Sequence, residues 1–283
     1  MKRLHIIWRK SLNVVMLSLT GVAAFGVVSI LFLILGYFIY DGGRSLNWAF
    51  FTQLPKPTGE VGGGMANAII GSFKLLLLAA LFGLPVGLMA GVYLAEFGGK
   101  TFAYIIRYTV DLLNGVPSIV IGIFAYALAV QPVKHFSTLA GGFALAIMVV
   151  PITVRATEEF LRAIPNSLRE GAMALGASKW KTIASVILPA ASGGILTGML
   201  LSLARVAGET APLLFTALGN QYWSPGWSQP TSALPLMIYE YAISAYDDLH
   251  RQAWAAGLVL LGMVLLANLG CRLVMNRRGV RGV

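Results

Sequence analysis

Arg205 and Glu209 are the residues most able to do chemistry in this chain. They stand in Arg205-Val-Ala-Gly208-Glu209-Thr210-Ala-Pro212, within an apolar run. An arginine at the centre of a bilayer costs about 2.5–3.5 kcal/mol on insertion scales, so it is expected to face protein or water. Four residues apart on a helix, the two side chains share a face, and pairing lowers the cost of burying either charge. Two readings stay open. One is a structural ion pair that fixes helix packing. The other is a site on a path for an anion, where the guanidinium fork matches phosphate or carboxylate geometry. In that second reading Glu209 neutralises Arg205 at rest, so an anion passes without being trapped, and Thr210 belongs to the same path. Gly208 permits close approach, and Pro212 leaves the Gly208 carbonyl without its helical donor.

Asp111, Asn114 and Ser118 recur at three- and four-residue intervals and are expected to share a face of one helix, loosened by Gly115 and Pro117. They read either as interhelical hydrogen-bonding groups or, for Asn114 and Ser118, as further path residues. Arg155, Glu158 and Glu159 fall near a span end, where snorkelling makes charge inexpensive. Lys74 can snorkel in the same way. Gly193-Gly-Ile-Leu-Thr-Gly198 reads as close helix packing. No Walker A sequence, His-Glu-x-x-His or usable Ser/His/Asp set is present. His5, His135 and His250 are scattered, and nothing supports a hydrolase. Active transport therefore needs energy from another chain.

These residues must be positioned by a very apolar chain. It has 283 residues, 57% hydrophobic and 11% charged, with mean hydropathy +0.77. A soluble domain carries roughly 25% charged residues, so the class is integral membrane protein. A single cysteine, Cys271, excludes an internal disulfide and reads as a small packing residue. Spans are expected at about 14–40, 66–95, 104–130, 138–161, 188–218 and 253–274, each long enough to cross about 30 Å of hydrocarbon. The first is too long for a signal-peptide core and reads as a retained anchor. The aromatic stretch Leu46 to Leu54 is expected at the membrane interface.

Six spans put both ends of the chain on one side. Lys2, Arg3, Arg9, Lys10, Lys100, Arg107, Arg155, Arg162, Arg169, Lys179, Lys181, Arg272, Arg277, Arg278 and Arg281 fall on that side, against Arg44, Lys56, Lys134 and Arg251 on the other. The bias makes the first side cytoplasmic. It also accounts for the net charge of +10 without nucleic acid. The expected domains are a cytoplasmic segment 1–13, a six-span domain 14–275 with a cytoplasmic loop 165–187, and a tail 276–283.

That loop is the longest charged, sharply punctuated stretch. Ser167 and Glu170 are spaced as a capping box, Gly176 is placed to end the short helix, and Pro189 opens the next apolar helix. Glu170-Gly171-Ala172-x-x-x-Gly176, nine residues, then Val186-x-Leu188-Pro189, resembles the Glu-Ala-Ala loop of ABC importer permeases. Gly171 stands for the first Ala and Val186 for Ile. The flanking Gly62-Gly-Gly-Met-Ala-Asn67, Gly115-Val-Pro-Ser118 and Arg205 to Ala217 sequences are similar to the permeases of phosphate-specific importers, from about residue 15 to about 275.

The resemblance implies an all-α membrane protein, a type I importer permease bundle of six helices (MetI-like), whose loop helix docks into a groove on a cytoplasmic ATPase. It implies a second permease subunit, two copies of an ATP-binding subunit, and a periplasmic or lipid-anchored phosphate-binding protein. It also implies a bacterial inner-membrane location. No cofactor is expected in this chain, since ATP and Mg belong to the ATPase. In the family, Arg205 and Glu209 correspond to charged residues linked to phosphate passage. The alternatives are an importer permease for another oxyanion such as sulfate or molybdate, an ion-coupled secondary carrier working alone, and a membrane scaffold.

Overall fold

A computed structural model of the chain describes residues 2–57 and 59–277. Among them the structure is helical, without strands. The first rod is α1 (Lys2–Tyr37), a π-helical turn (Phe38–Gly42) and α2 (Gly43–Ser45), followed by short α3 (Trp48–Thr52) and long α4 (Ala66–Glu96). Then come α5 (Lys100–Gly115), α6 (Ser118–Ala125) with a π-helical turn (Tyr126–Val130), α7 (Thr138–Ala163) and α8 (Asn166–Ala174). The chain continues through α9 (Lys179–Thr182), a π-helical turn (Ile183–Ile187), α10 (Leu188–Ala207), α11 (Ala211–Leu214), α12 (Leu234–Ala242) and α13 (Asp247–Arg277).

Five of these paths are long and apolar enough to cross a membrane singly: Trp8–Ser45, Ala66–Glu96, Thr138–Ala163, Lys179–Ala207 and Asp247–Leu273. The third expected span is not one helix. It is Thr101–Gly115 and Ser118–Val130, bent by 107°. Counting that pair as one span gives six. The first helix begins at Lys2, so the basic segment expected at 1–13 continues the first span without a break. Arg278 and Arg281, counted with the tail 276–283, lie outside the described residues.

α4 and α7 form the centre. In lipid there is little hydrophobic drive between helices, and close approach over small residues takes its place. Gly83, Gly87 and Gly91 repeat every fourth residue on α4. A Cβ there would lie 2.9 Å from Cβ of Val149, 2.6 Å from Cβ of Thr153 and 2.5 Å from Cβ of Thr157. α10 packs on another face of α7, with Gly194 under Phe160 and Gly198 under Ala156, as the glycine pattern predicts. Leu75, Ala79, Leu145, Val149, Val206 and Leu213 fill the core that these helices share.

The first span lies apart, and none of its most apolar stretch is buried within the chain. It is anchored where Phe38 meets Trp254 edge-on at 5.2 Å. The aromatic stretch at 46–54 divides: Asn47 caps α3, Trp48 stays 82% exposed, and Phe50 enters the core beside Met65 and Leu234.

Candidate functional site

The fifth span does not run on to residue 218. α10 ends at Ala207, and Gly208, Glu209 and Thr210 link it to α11. Pro212 is the cause: it has no N–H for the Gly208 carbonyl, and its ring clashes with that carbonyl in a continuous helix. Gly208 adds a weak helix former at the same place. Arg205 and Glu209 therefore do not share a helical face. Arg205 is exposed on the last turn of α10, and Glu209 is half-buried in the linker. The ion pair expected between them is absent among the described residues. Thr210 Oγ1 lies 3.4 Å from the Pro235 carbonyl of α12.

The third span breaks for the same kind of reason. Pro117 disfavours helical backbone at the residue before it, and Val116 is extended at φ −72, ψ 131. Asp111 and Asn114 lie on α5, and Ser118 begins α6, so the three do not share one face. The two breaks are neighbours. A Cβ on Gly122 of α6 would meet Pro212 Cα at 2.8 Å and the Ala211 carbonyl at 3.3 Å. Unwound backbone is tolerated at membrane depth only where protein buries it or it lines a wet cavity. Ser118 is one turn before Gly122, and Thr210 immediately precedes Ala211, so the paired breaks bring Ser118 and Thr210 into the same region. Asn114 is exposed on the last turn of α5.

Below the breaks lies a charged cluster. Glu158, whose side chain is 3% exposed, accepts from Arg107 Nε at 2.7 Å and pairs with Arg162 at 2.9 Å. Arg155 forks onto Asp111, with Nε 2.9 Å from Oδ1. These links fasten α5 to α7. Snorkelling alone, expected for Arg155 and Glu158, does not describe them, because each finds a protein partner. Lys74 likewise donates to the Ser224 carbonyl at 2.6 Å and lies 5.6 Å from the Trp227 ring centre. Asn67 and Ser72 bond the same 219–234 segment, to Asn220 and Leu234.

The charged loop forms two short helices. Its expected capping box is not made. α8 starts at Asn166 behind Pro165, with no side-chain cap, so Ser167 and Glu170 fall inside the helix. Pro165 stands at the N-cap position instead, at φ −57 and ψ 141. The expected stop is made. Gly176 has φ +84, its N–H reaches the Met173 carbonyl at 2.9 Å, and Ala177 N–H reaches Ala172 at 3.2 Å. That is a Schellman motif, which favours glycine at the left-handed position. Ser178 then caps α9 through Lys181 N–H. Pro189 lies in the first turn of α10, after the π-helical turn that carries the chain on from α9 without a break.

α8 buries no residue in this chain. Leu168, Met173, Leu175 (92% exposed) and Trp180 present apolar surface on a charged loop. Exposed apolar groups clustered this way mark an interaction surface. The loop is held from behind. Arg169 pairs with Glu96 at 2.7 Å and donates to the carbonyls of Leu161 and Ile164. Lys179 donates to the Glu96 carbonyl at 2.6 Å, and Trp180 packs on Phe97. Spacing could not reveal Arg169 as this node, since Glu96 is 73 positions away; its type at a span boundary was the only signal.

Comparison with known proteins fits this arrangement. Residues 83–278 match the family described as binding-protein-dependent transport system inner membrane component. The chain is 42% identical over 273 residues to the phosphate transport system permease protein PstA of Yersinia pestis, covering 96% of this chain and 92% of that one. It is 44% identical to the PstA of Haemophilus influenzae, covering 98% of each. Its fold is similar to a chain in the crystal structure of a bacterial alginate ABC transporter in complex with an alginate pentasaccharide-bound periplasmic protein. There the TM-score is 0.63 at 17% identity, over 92% of this chain and 94% of that one.

Proposed function

The chain belongs to the PstA family of ABC importer permeases, and from that premise we propose that it forms the membrane channel for inorganic phosphate together with a second permease. It is a type I importer permease and not an enzyme; ATP is hydrolysed by a separate subunit. Importers of this kind work with an ATPase and a substrate-binding protein. The finer reading is a PstC-like partner permease, two PstB-like ATPases holding ATP and Mg, and a periplasmic or lipid-anchored PstS-like phosphate-binding protein. The chain is a multi-pass membrane protein. The Lys/Arg bias supports termini and loop 165–187 on the cytoplasmic side of the inner membrane.

One observation carries the reading: two broken spans pack together where Gly122 meets Pro212, and Arg205 stands in the last turn of α10 just before the second break. Such a break frees backbone groups to line a path, and Arg205 supplies a forked donor for a tetrahedral oxyanion. Ser118 and Thr210 offer hydroxyls there. Glu209, unpaired with Arg205 in this conformation, repels an anion that lingers and so favours its passage. The exposed apolar residues of α8 and α9 supply the docking surface for the ATPase, with Ser167, Glu170, Gly171 and Ala172 forming the helix that presents them.

The test is reconstitution of the four-component complex in proteoliposomes. ATP hydrolysis and transport stimulated by phosphate, and not by sulfate or molybdate, support the reading. Stimulation by sulfate or molybdate instead sinks the phosphate assignment. Uptake by this chain without an ATPase favours an ion-coupled carrier. Arg205→Gln is expected to abolish transport with assembly intact, whereas a scaffold loses nothing.

A further inference from the structure

The charged cluster below the broken spans has no role in the function proposed so far. Its register on the path follows from packing. α7 and α10 run antiparallel, with Phe160 on Gly194, Ala156 on Gly198, and Thr153 Oγ1 3.4 Å from Ser202 Oγ. Arg205 is three residues beyond Ser202 in one direction, and Arg155 is two residues beyond Thr153 in the other. At 1.5 Å per residue the two arginines differ in depth by about 7–8 Å. Arg155 is the one nearer the basic, loop-bearing side.

The two guanidinium groups differ in how they are satisfied. Arg155 is forked onto Asp111, an exposed carboxylate on α5 six residues before Pro117. Asp111 has a side chain 56% exposed and Arg155 31%. Arg107 and Arg162 converge on Oε1 of Glu158 one turn below, and Arg155 Nη1 lies 3.6 Å from its Oε2, which is buried without a hydrogen bond, so Glu158 holds Arg155 in place while Asp111 fills the fork. Exposed Glu159 adjoins them, so the cluster is close to neutral at rest. A carboxylate and a phosphate oxygen pair present the same geometry to a guanidinium fork.

We propose that Arg155 is a second oxyanion station on the inner half of the path, and that Asp111 occupies it at rest as an internal surrogate for the transported anion. The anion displaces Asp111 from Arg155 after leaving Arg205, and Asp111 returns to Arg155 as the anion leaves. The exchange trades one exposed ion pair for another, so the station binds weakly and releases readily. No bond other than hydrogen bonds and ion pairs changes. The inference rests on phosphate being the cargo.

The experiment uses the whole reconstituted complex and reads inhibition of transport by orthophosphate added on the ATPase face. The unaltered complex is expected to be inhibited, because phosphate there refills the station. Asp111→Asn removes the surrogate and lowers the half-inhibiting concentration by about two- to fivefold, the range of an exposed ion pair. Arg155→Gln loses the inhibition and about tenfold or more of transport, with co-purification intact. Arg155→Lys keeps charge, loses the fork, and gives weaker inhibition with normal assembly; it decides the matter if Arg155→Gln fails to assemble. Equal loss of transport in Asp111→Asn and Arg155→Lys, with unchanged sensitivity to phosphate, overturns the station and makes the pair a structural clasp. An unaltered complex that moves sulfate and no phosphate overturns the proposed function instead.

Discussion

Glu96 and Arg169 stand 73 positions apart and grip one another at the end of the bundle that carries the 165–187 loop, with Arg169 Nη2 2.7 Å and Nε 3.1 Å from Glu96 Oε1. The side chains are 7% and 17% exposed. Glu96 is the last residue of α4, and Arg169 belongs to α8. The pair therefore ties the loop proposed to dock the ATPase to the helix packed most closely on α7. A push on α8 reaches α4 through this link and reaches α10 through the unbroken path from α9.

Breaking the pair should uncouple the two ends. Removing one partner of a buried pair costs about 3 kcal/mol or more, because the other charge stays behind. Glu96→Gln is expected to lower phosphate transport by about tenfold while ATP hydrolysis continues and the ATPase still co-purifies. Proteoliposome transport and ATPase rates, measured side by side, check it. An unchanged ratio of transport to hydrolysis counts against the link.

The turn after α8 makes a paired prediction. Gly176 sits at φ +84, where a Cβ costs about 1–2 kcal/mol. Gly171 lies within α8 with open space around it, where alanine gains about 0.5–1 kcal/mol. Gly176→Ala should weaken ATPase association and Gly171→Ala should preserve or strengthen it. Co-purification at rising detergent stringency reads both. The opposite order would mean that the Schellman turn does not set the docking geometry.

Much of this was legible in sequence because composition and punctuation carry it. Apolar length marks out the spans, and Gly176 marks the end of α8. The residues that misled were prolines. Pro117 and Pro212 lie in stretches apolar enough to be continuous, so hydropathy runs straight through both breaks, and a continuous helix would give Arg205 and Glu209 a shared face that the structure lacks. Pro165 starts α8 in place of the Ser167–Glu170 box. Long-range pairs such as Glu96–Arg169 and Asp111–Arg155 leave no spacing signal, since it is the fold that brings them together.

The glycine row on α4 should tolerate no enlargement. A Cβ on Gly87 would lie 2.6 Å from Thr153 Cβ and 3.1 Å from the Val150 carbonyl. Thr153 is fully buried, and its Cβ is fixed to the backbone, so no change of rotamer relieves the contact. Gly87→Ala is expected to destabilise the bundle by about 1–3 kcal/mol. Thermal unfolding in detergent measures it. Gly21→Ala on the first span meets nothing within 4 Å and serves as the control. Equal melting of the two variants would refute close α4–α7 packing.

The contact between the two broken spans is close in the same way. Gly122 has Pro212 Cα at 2.8 Å and the Ala211 carbonyl at 3.3 Å from its would-be Cβ, and both are backbone atoms that no rotamer change can move. Gly122→Val must therefore part α6 from α11, which separates Ser118 from Thr210 while leaving Arg205 in place on α10. Transport should fall by about tenfold or more, since displacement of a positioned group by about 1 Å can cost 10²-fold. Insertion and co-purification with the ATPase should persist, because α8 and α9 lie at the other end of α10. Pro212→Ala distinguishes contact from kink: it restores the missing N–H and lets α10 run through Gly208. If both variants carry phosphate at the unaltered rate, the breaks are incidental to the path. If Gly122→Val alone fails, close contact between α6 and α11 matters more than the unwound linker at 208–210.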